Sequence, residues 1–173
     1  GRNEFEKLIN FKLNKKNILI TFHPVTLENK TAKKQFQQIL NSIKALKDTN
    51  IIFTKSNRDI DGRTINHMID KFVNKNSNKY VAFTSLGQLK YLSALKYVDV
   101  IVGNSSSGLL EAPSFKIGTI NIGDRQKGRI KAKSVIDCLP NSTSLKKALK
   151  KIYSKKFQEQ LKKVKNPYGN KSA

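Results

Sequence analysis

Short apolar runs rich in β-branched residues, each separated from the next by a stretch with helical spacing, place the tightest constraint on what this chain can become. NILITF (17–22), NIIFT (50–54), YVAF (80–83), VDVIV (98–102), GTINI (118–122) and SVIDC (134–138) are too short for helices. Most are apolar nearly throughout rather than alternating, as strands covered on both faces are. Between them, Phe36, Ile39, Leu40, Ile43 and Leu46 make an apolar stripe within 33–47, and Ile65, Met68, Ile69, Phe72 and Val73 make a second. Leu89, Tyr91, Leu92 and Leu95 make a third within 88–96, which reads as core. Strand and helix in this alternation predict an α/β fold, a doubly wound, mostly parallel sheet with helices on both faces, Rossmann-like in type. The run 134–138, interrupted by Pro140, reads as its edge strand. A short amphipathic helix carrying Phe5, Leu8, Ile9 and Phe11 leads in. Asn141 or Ser142 caps a lysine-rich helix near the end, and Phe157, Leu161 and Val164 continue as a second short one.

Composition narrows the function classes. The 173 residues carry a formal net charge of +22, which raises nucleic-acid or anionic-membrane binding. The lysines, however, are scattered over helices or gathered between Lys146 and Lys165, with few arginines and no aromatic-interleaved basic stripe. Nucleic acid and membrane are therefore not the expected partners. No apolar run approaches ~18 residues and no leader signal opens the sequence, so a cytoplasmic protein is expected. One cysteine, Cys138, excludes an internal disulfide and is expected to be buried or inert. Two histidines without clustered acids predict no structural metal.

The chemistry concentrates in VDVIVGNSSSGLLEAPSFKIGTINIGDRQKGR (98–129). A strand stops at the small-residue turn Gly103 to Gly108, and a short helix follows, with Ser106 or Ser107 as N-cap and Pro113 ending it early. Small residues let backbone N–H groups approach a ligand. Hydroxyls add donors, and a helix N-terminus adds about half a positive charge, so Ser105, Ser106 and Ser107 suit a phosphate or diphosphate. Glu111 suits the vicinal hydroxyls of a ribose, and Arg125, after the next strand, a second face of the diphosphate. The plainer alternative is a Ser-capped helix in an ordinary core, with Glu111 solvated and Arg125 on the surface. His23-Pro24-Val25-Thr26 sits at the end of the first strand, where open α/β sheets bind ligands. His23 can donate to a phosphate, act in acid–base chemistry, or be held by nearby backbone. The loop SNRDIDGR (56–63) follows the second strand. Asp61-Gly62 reads as a turn there, and Asp59 and Asp61 read as capping residues. His67 falls on an exposed helix side and is assigned no role.

GNSSSGLLEAPSF followed by INIGDRQKGRI resembles the signature of the hydrolysing UDP-N-acetylglucosamine 2-epimerases, and TFHPVT, SNRDIDGR, SLGQLKYLSALK and NPYG are similar to further motifs of that family. Ser56 stands where proline is usual, and Asn170-Lys171 replace an aspartate and a glycine. The resemblance implies the C-terminal half of a glycosyltransferase-B-type fold: residues 1–16 a lead-in helix and linker, 17–169 a UDP-binding domain, 170–173 a tail. A preceding Rossmann-like domain of the family supplies the acids that move protons on the sugar. It further implies water-dependent conversion of UDP-N-acetylglucosamine, or a related UDP-2-acetamido sugar, to UDP and N-acetylmannosamine or its equivalent, serving sialic- or legionaminic-type surface sugars. Such a half alone is expected to be poor or inactive in catalysis. By carry-over, Ser105, Ser106 and Ser107 hold the diphosphate and Glu111 the ribose. Arg125, His23 and Asn57 line the same cleft, with His23 as the catalytic candidate, and no cofactor is implied. A homodimer of the longer enzyme is left open. The alternatives are another UDP-sugar domain of this fold and a basic nucleic-acid-binding module.

Overall fold

The computed structural model describes residues 1–24, 29–55, 60–84 and 86–169. The chain runs α1 (Arg2–Ile9), β1 (Lys16–Thr21), α2 (Asn29–Ile43), β2 (Thr49–Thr54), α3 (Ile60–Lys75), β3 (Tyr80–Phe83), α4 (Gly87–Leu95) and β4 (Val100–Gly103). It continues with α5 (Ser107–Leu110), a 3-10 turn (Ala112–Phe115), β5 (Gly118–Ile122), β6 (Val135–Cys138), α6 (Ser142–Ile152) and α7 (Lys155–Leu161). The strands form one six-stranded sheet in the order β3-β2-β1-β4-β5-β6. All its pairings are parallel. That is the doubly wound arrangement expected from the alternation of strand and helix patterns, with β3 and β6 at the edges.

The apolar runs are continuous because both faces are covered. On one face Ile18, Ile20, Phe53, Val100 and Ile120 pack with Phe36 and Ile39 of α2, Ile65 of α3 and Leu149 of α6. On the other, Leu19, Ile52 and Ile101 meet Leu95 of α4 and the N-terminal segment. That segment is more than a lead-in: Phe5, Ile9, Phe11 and Leu13 are all buried there. The expected helix face is altered, since α1 stops at Ile9, with Asn10 left-handed at φ 51°, and Leu8 is 52% exposed. Phe11 reaches the core from beyond the helix. Glu6 ties the segment down by accepting the Leu13 N–H at 2.7 Å.

Other boundaries moved as well. Gly62, read as part of a turn, lies in the first turn of α3. A glycine costs only about 1 kcal/mol against alanine in a helix, and burial of Ile65, Ile69 and Phe72 further along outweighs it. α2 starts and ends about a turn earlier than its apolar stripe predicted. The helix containing Phe157 stops at Leu161, leaving Val164 buried beyond it. Asn141 is the cap of α6, its side chain accepting from the Ser144 N–H, and Cys138 is free and buried. Among the described residues no helix is long and apolar enough to cross a membrane.

The central pair, β1 and β4, is fixed at both ends. At the N-terminal end the half-buried Asp99 carboxylate accepts the Asn17 N–H at 2.8 Å and the Tyr153 hydroxyl at 3.3 Å, and the Lys16 ammonium lies 4.7 Å from the centre of the Tyr153 ring. At the C-terminal end, Gly103 has φ +146°, and a Cβ there would stand 1.7 Å from the Thr21 carbonyl oxygen. Only glycine lets the two strand ends approach so closely.

Two outcomes follow. Gly103→Ala should cost about 3 kcal/mol, the upper range for overpacking, lowering Tm by roughly 6–12 °C in a calorimetric scan. Burial raises the Asp99 carboxyl above its ordinary pKa of 3.8, against hydrogen bonds from Asn17 and Tyr153 that lower it. The folded chain therefore holds this proton more tightly than the unfolded one. The contribution of Asp99 to stability is fullest below its unfolded pKa and is lost as pH rises through its folded pKa. Urea denaturation should show wild type losing stability relative to Asp99→Asn across that window.

Candidate functional site

Strand connections run outward from β1 to β2 and β3, then cross back to β4, so the order reverses between β1 and β4. A crevice at the carboxyl ends of such strands is where this architecture binds ligands. Asn104, 1% exposed, closes its floor. The Asn104 side-chain oxygen accepts the His23 N–H at 2.7 Å, and its side-chain nitrogen donates to the His23 carbonyl at 2.7 Å. Its own N–H donates to the Thr21 carbonyl at 3.2 Å. Its carbonyl accepts two further bonds at 3.0 Å, from Arg125 Nη1 and Gln126 Nε2. One asparagine thus joins the His23 segment, the serine turn and the Arg125 loop.

The serine turn differs from a capped helix. α5 is four residues long, Ser106 is itself helical in backbone, and no side chain caps it. Ser105 Oγ instead accepts the Ser107 N–H at 3.3 Å. The expected longer dipole is lost because the residue at 113 is proline, which has no N–H to continue an α-helix and leaves the 3-10 turn behind. What remains for an anion is local. Among the described residues, the N–H groups of Ser105 and Ser106 have no acceptor within the chain. Gly108 presses the turn against β5, where Thr119 Oγ1 donates to the Gly108 carbonyl at 2.8 Å.

Tyr91, expected in the core, is half-buried and donates its hydroxyl to Ser107 Oγ at 2.5 Å. Burial pushes the phenol up to about 12, the Ser107 bond lowers it and the Glu111 charge raises it. It stays protonated at neutral pH and occupies an acceptor position of Ser107, leaving the Ser107 proton for another oxygen. Tyr91 and the half-buried Glu111 line one cavity of about 460 Å³ with Thr54, Lys55, Thr84 and Gly87. On the opposite side of the turn, Asn104 and the exposed Arg125 line a second, of about 740 Å³, at the carboxyl ends of β4, β5 and β6. Ser105 to Ser107 lie in sequence between Asn104, which lines one cavity, and Glu111, which lines the other.

His23, Ser105, Ser106, Ser107, Glu111 and Arg125 are thereby placed around one switch point, with Glu111 and Arg125 in different cavities. Asn57 lies outside the described residues, as do Thr26 and Asp59, and of Asp61 only the helical backbone is described. His67 is exposed on α3. The sequence assigned no role to Asn104, Tyr91 or Gln126. An asparagine directly after a strand-end glycine is a usable signal for Asn104, while Tyr91 was hidden by its place on an apolar stripe. Gln126, 4% exposed, keeps a side-chain oxygen without a partner among the described residues.

Comparison with known proteins places this geometry. A family model described as UDP-N-acetylglucosamine 2-epimerase matches residues 2–173. A Campylobacter jejuni protein named GDP/UDP-N,N'-diacetylbacillosamine 2-epimerase (hydrolyzing) is 44% identical over 159 residues, covering 92% of this chain and 41% of its own length. The Escherichia coli polysialic acid biosynthesis protein P7 is 35% identical over 160 residues, covering 92% and 40%. The chain therefore spans about two fifths of the length of these curated relatives. In fold it resembles the crystal structure of UDP-GlcNAc 2-epimerase from Neisseria meningitidis bound to UDP-GlcNAc, with TM-score 0.73, 18% identity, and coverage of 96% of this chain and 44% of that one. With its glycine-pinned β1–β4 crevice and serine turn, this chain belongs to the UDP-N-acetylglucosamine 2-epimerase family.

Proposed function

We propose that the chain is the UDP-holding part of a hydrolysing 2-epimerase that converts a UDP-2-acetamido sugar and water into UDP and the free sugar inverted at C2. The observation that carries this reading is the Asn104–Glu111 turn. Its open amides at Ser105 and Ser106 and the Tyr91-oriented Ser107 hydroxyl lie in sequence between a cavity holding Glu111 and one holding Arg125. Diphosphate is recognised by such donors, and ribose hydroxyls by a carboxylate such as Glu111. The names of the Campylobacter and Escherichia relatives support a nucleotide-activated acetamido sugar, and a role in making sialic- or legionaminic-type surface sugars in the cytoplasm.

In this reading a base takes the C2 proton, the C1–O bond breaks, and UDP leaves with the bonding electrons, giving an unsaturated sugar. Water then adds its hydroxyl at C1 and a proton returns to C2 on the other face. Negative charge grows on the leaving diphosphate, so donors already in place lower that barrier. Ser105, Ser106 and Ser107 hold the diphosphate and Arg125 reaches its second face. His23, its backbone clamped by Asn104, donates to the departing oxygen, and Asn57 completes the nucleotide contacts. The acids that exchange the C2 proton are assigned to a domain preceding this one, which also covers the crevice.

Calorimetric titration with UDP tests the assignment. Glu111→Ala and Arg125→Ala should each weaken binding about tenfold to a hundredfold, the cost of a charged hydrogen bond of roughly 1.5–3 kcal/mol. Unchanged affinity in both discredits the site. Tyr91→Phe, which removes only the bond to Ser107, should weaken UDP binding by about 0.5–1.5 kcal/mol with an unaltered circular dichroism spectrum.

A further inference from the structure

We infer that the cavity at the carboxyl ends of β4, β5 and β6 receives the sugar end of the nucleotide-sugar and favours sugars bearing methyl and acetamido groups over those bearing hydroxyls. This rests on the UDP reading of the serine turn. With the ribose at Glu111 and the diphosphate along Ser105 to Ser107, the remaining end of the ligand extends past Asn104, into the cavity that Asn104 and Arg125 line. Its volume of about 740 Å³ lies within the roughly 300–1,000 Å³ of small-molecule sites.

The chemistry of its wall sets the preference. Phe22, Ile122, Cys138, Leu139 and Pro140 make the wall largely apolar. The polar groups among them are already engaged. Asp137 accepts from Asn121 at 2.9 Å and from Lys131 at 3.2 Å. Ser144 Oγ accepts the Leu139 N–H at 3.1 Å and the Cys138 thiol at 3.3 Å. The Asn104 amide is spent on His23, and its carbonyl on Arg125 and Gln126. A sugar hydroxyl directed at this wall loses its water and gains little, whereas a methyl group is desolvated favourably. Asp124 and Lys127 supply polar contacts from their exposed positions.

The test is calorimetric titration of the 173-residue chain with UDP, UDP-N-acetylglucosamine and UDP-N,N'-diacetylbacillosamine. The last has a second acetamido group and a methyl group where N-acetylglucosamine has hydroxyl-bearing carbons. It should bind about tenfold more tightly than UDP-N-acetylglucosamine, a typical gain for a methyl-sized group in an apolar pocket. Leu139→Trp, at a position 66% exposed, should narrow the cavity and remove that advantage while leaving UDP affinity unchanged. As a second readout, the diacetylated ligand should slow alkylation of Cys138, followed by mass spectrometry, and UDP should not. Equal binding of the two sugar nucleotides overturns the inference, as does a Leu139→Trp variant that weakens UDP as much as the sugar nucleotides or keeps the preference. If wild type binds no UDP, the reading of the serine turn fails first and takes this one with it.

Discussion

The side chain of Asn104 is the interaction on which the crevice depends. It forms a two-bond amide pair with the His23 backbone at the one place where the sheet's connectivity reverses. An asparagine can both donate and accept there, which neither aspartate nor leucine can match in a site 1% exposed. Losing it leaves the His23 N–H and carbonyl without these partners, together with the desolvation cost of each. Because the same residue's carbonyl gathers Arg125 and Gln126, three loops that are distant in sequence share one rigid reference point.

Gly103 makes that arrangement reachable. The Asn104 backbone comes within bonding distance of Thr21 only because the preceding residue presents no Cβ to the Thr21 carbonyl. The serine turn, in contrast, owes its usefulness to incompleteness. Pro113 keeps the helix too short to satisfy its own start, and the amides of Ser105 and Ser106 are left for something outside the chain. Tyr91 then sets the direction in which Ser107 offers its proton.

Much of the fold was legible because it rests on local pattern. β5 and β3 fall where their apolar runs lie, and β6 is at the edge, as a strand beside Pro140 should be. Errors arose where tertiary contact overrides local preference, as with Gly62 inside α3 and Phe11 buried beyond the end of α1. In the site, the residues with reactive or charged groups could be named from sequence. The ones that position them could not, because their partners are remote: Asn104 and His23 are 81 residues apart, and Tyr91 and Ser107 are 16 apart.

The ties at the two ends of the β1–β4 pair have a mechanical consequence. Asp99 binds Asn17 and Tyr153 at one end, and Asn104 binds His23 and Thr21 at the other. Strands held at both ends neither slide nor spread, so the jaw of the crevice that this chain provides is an anvil. Motion that grips or releases a ligand must come from whatever strikes down on it, and the rate of opening is then set by that partner surface rather than by any flexing of the sheet.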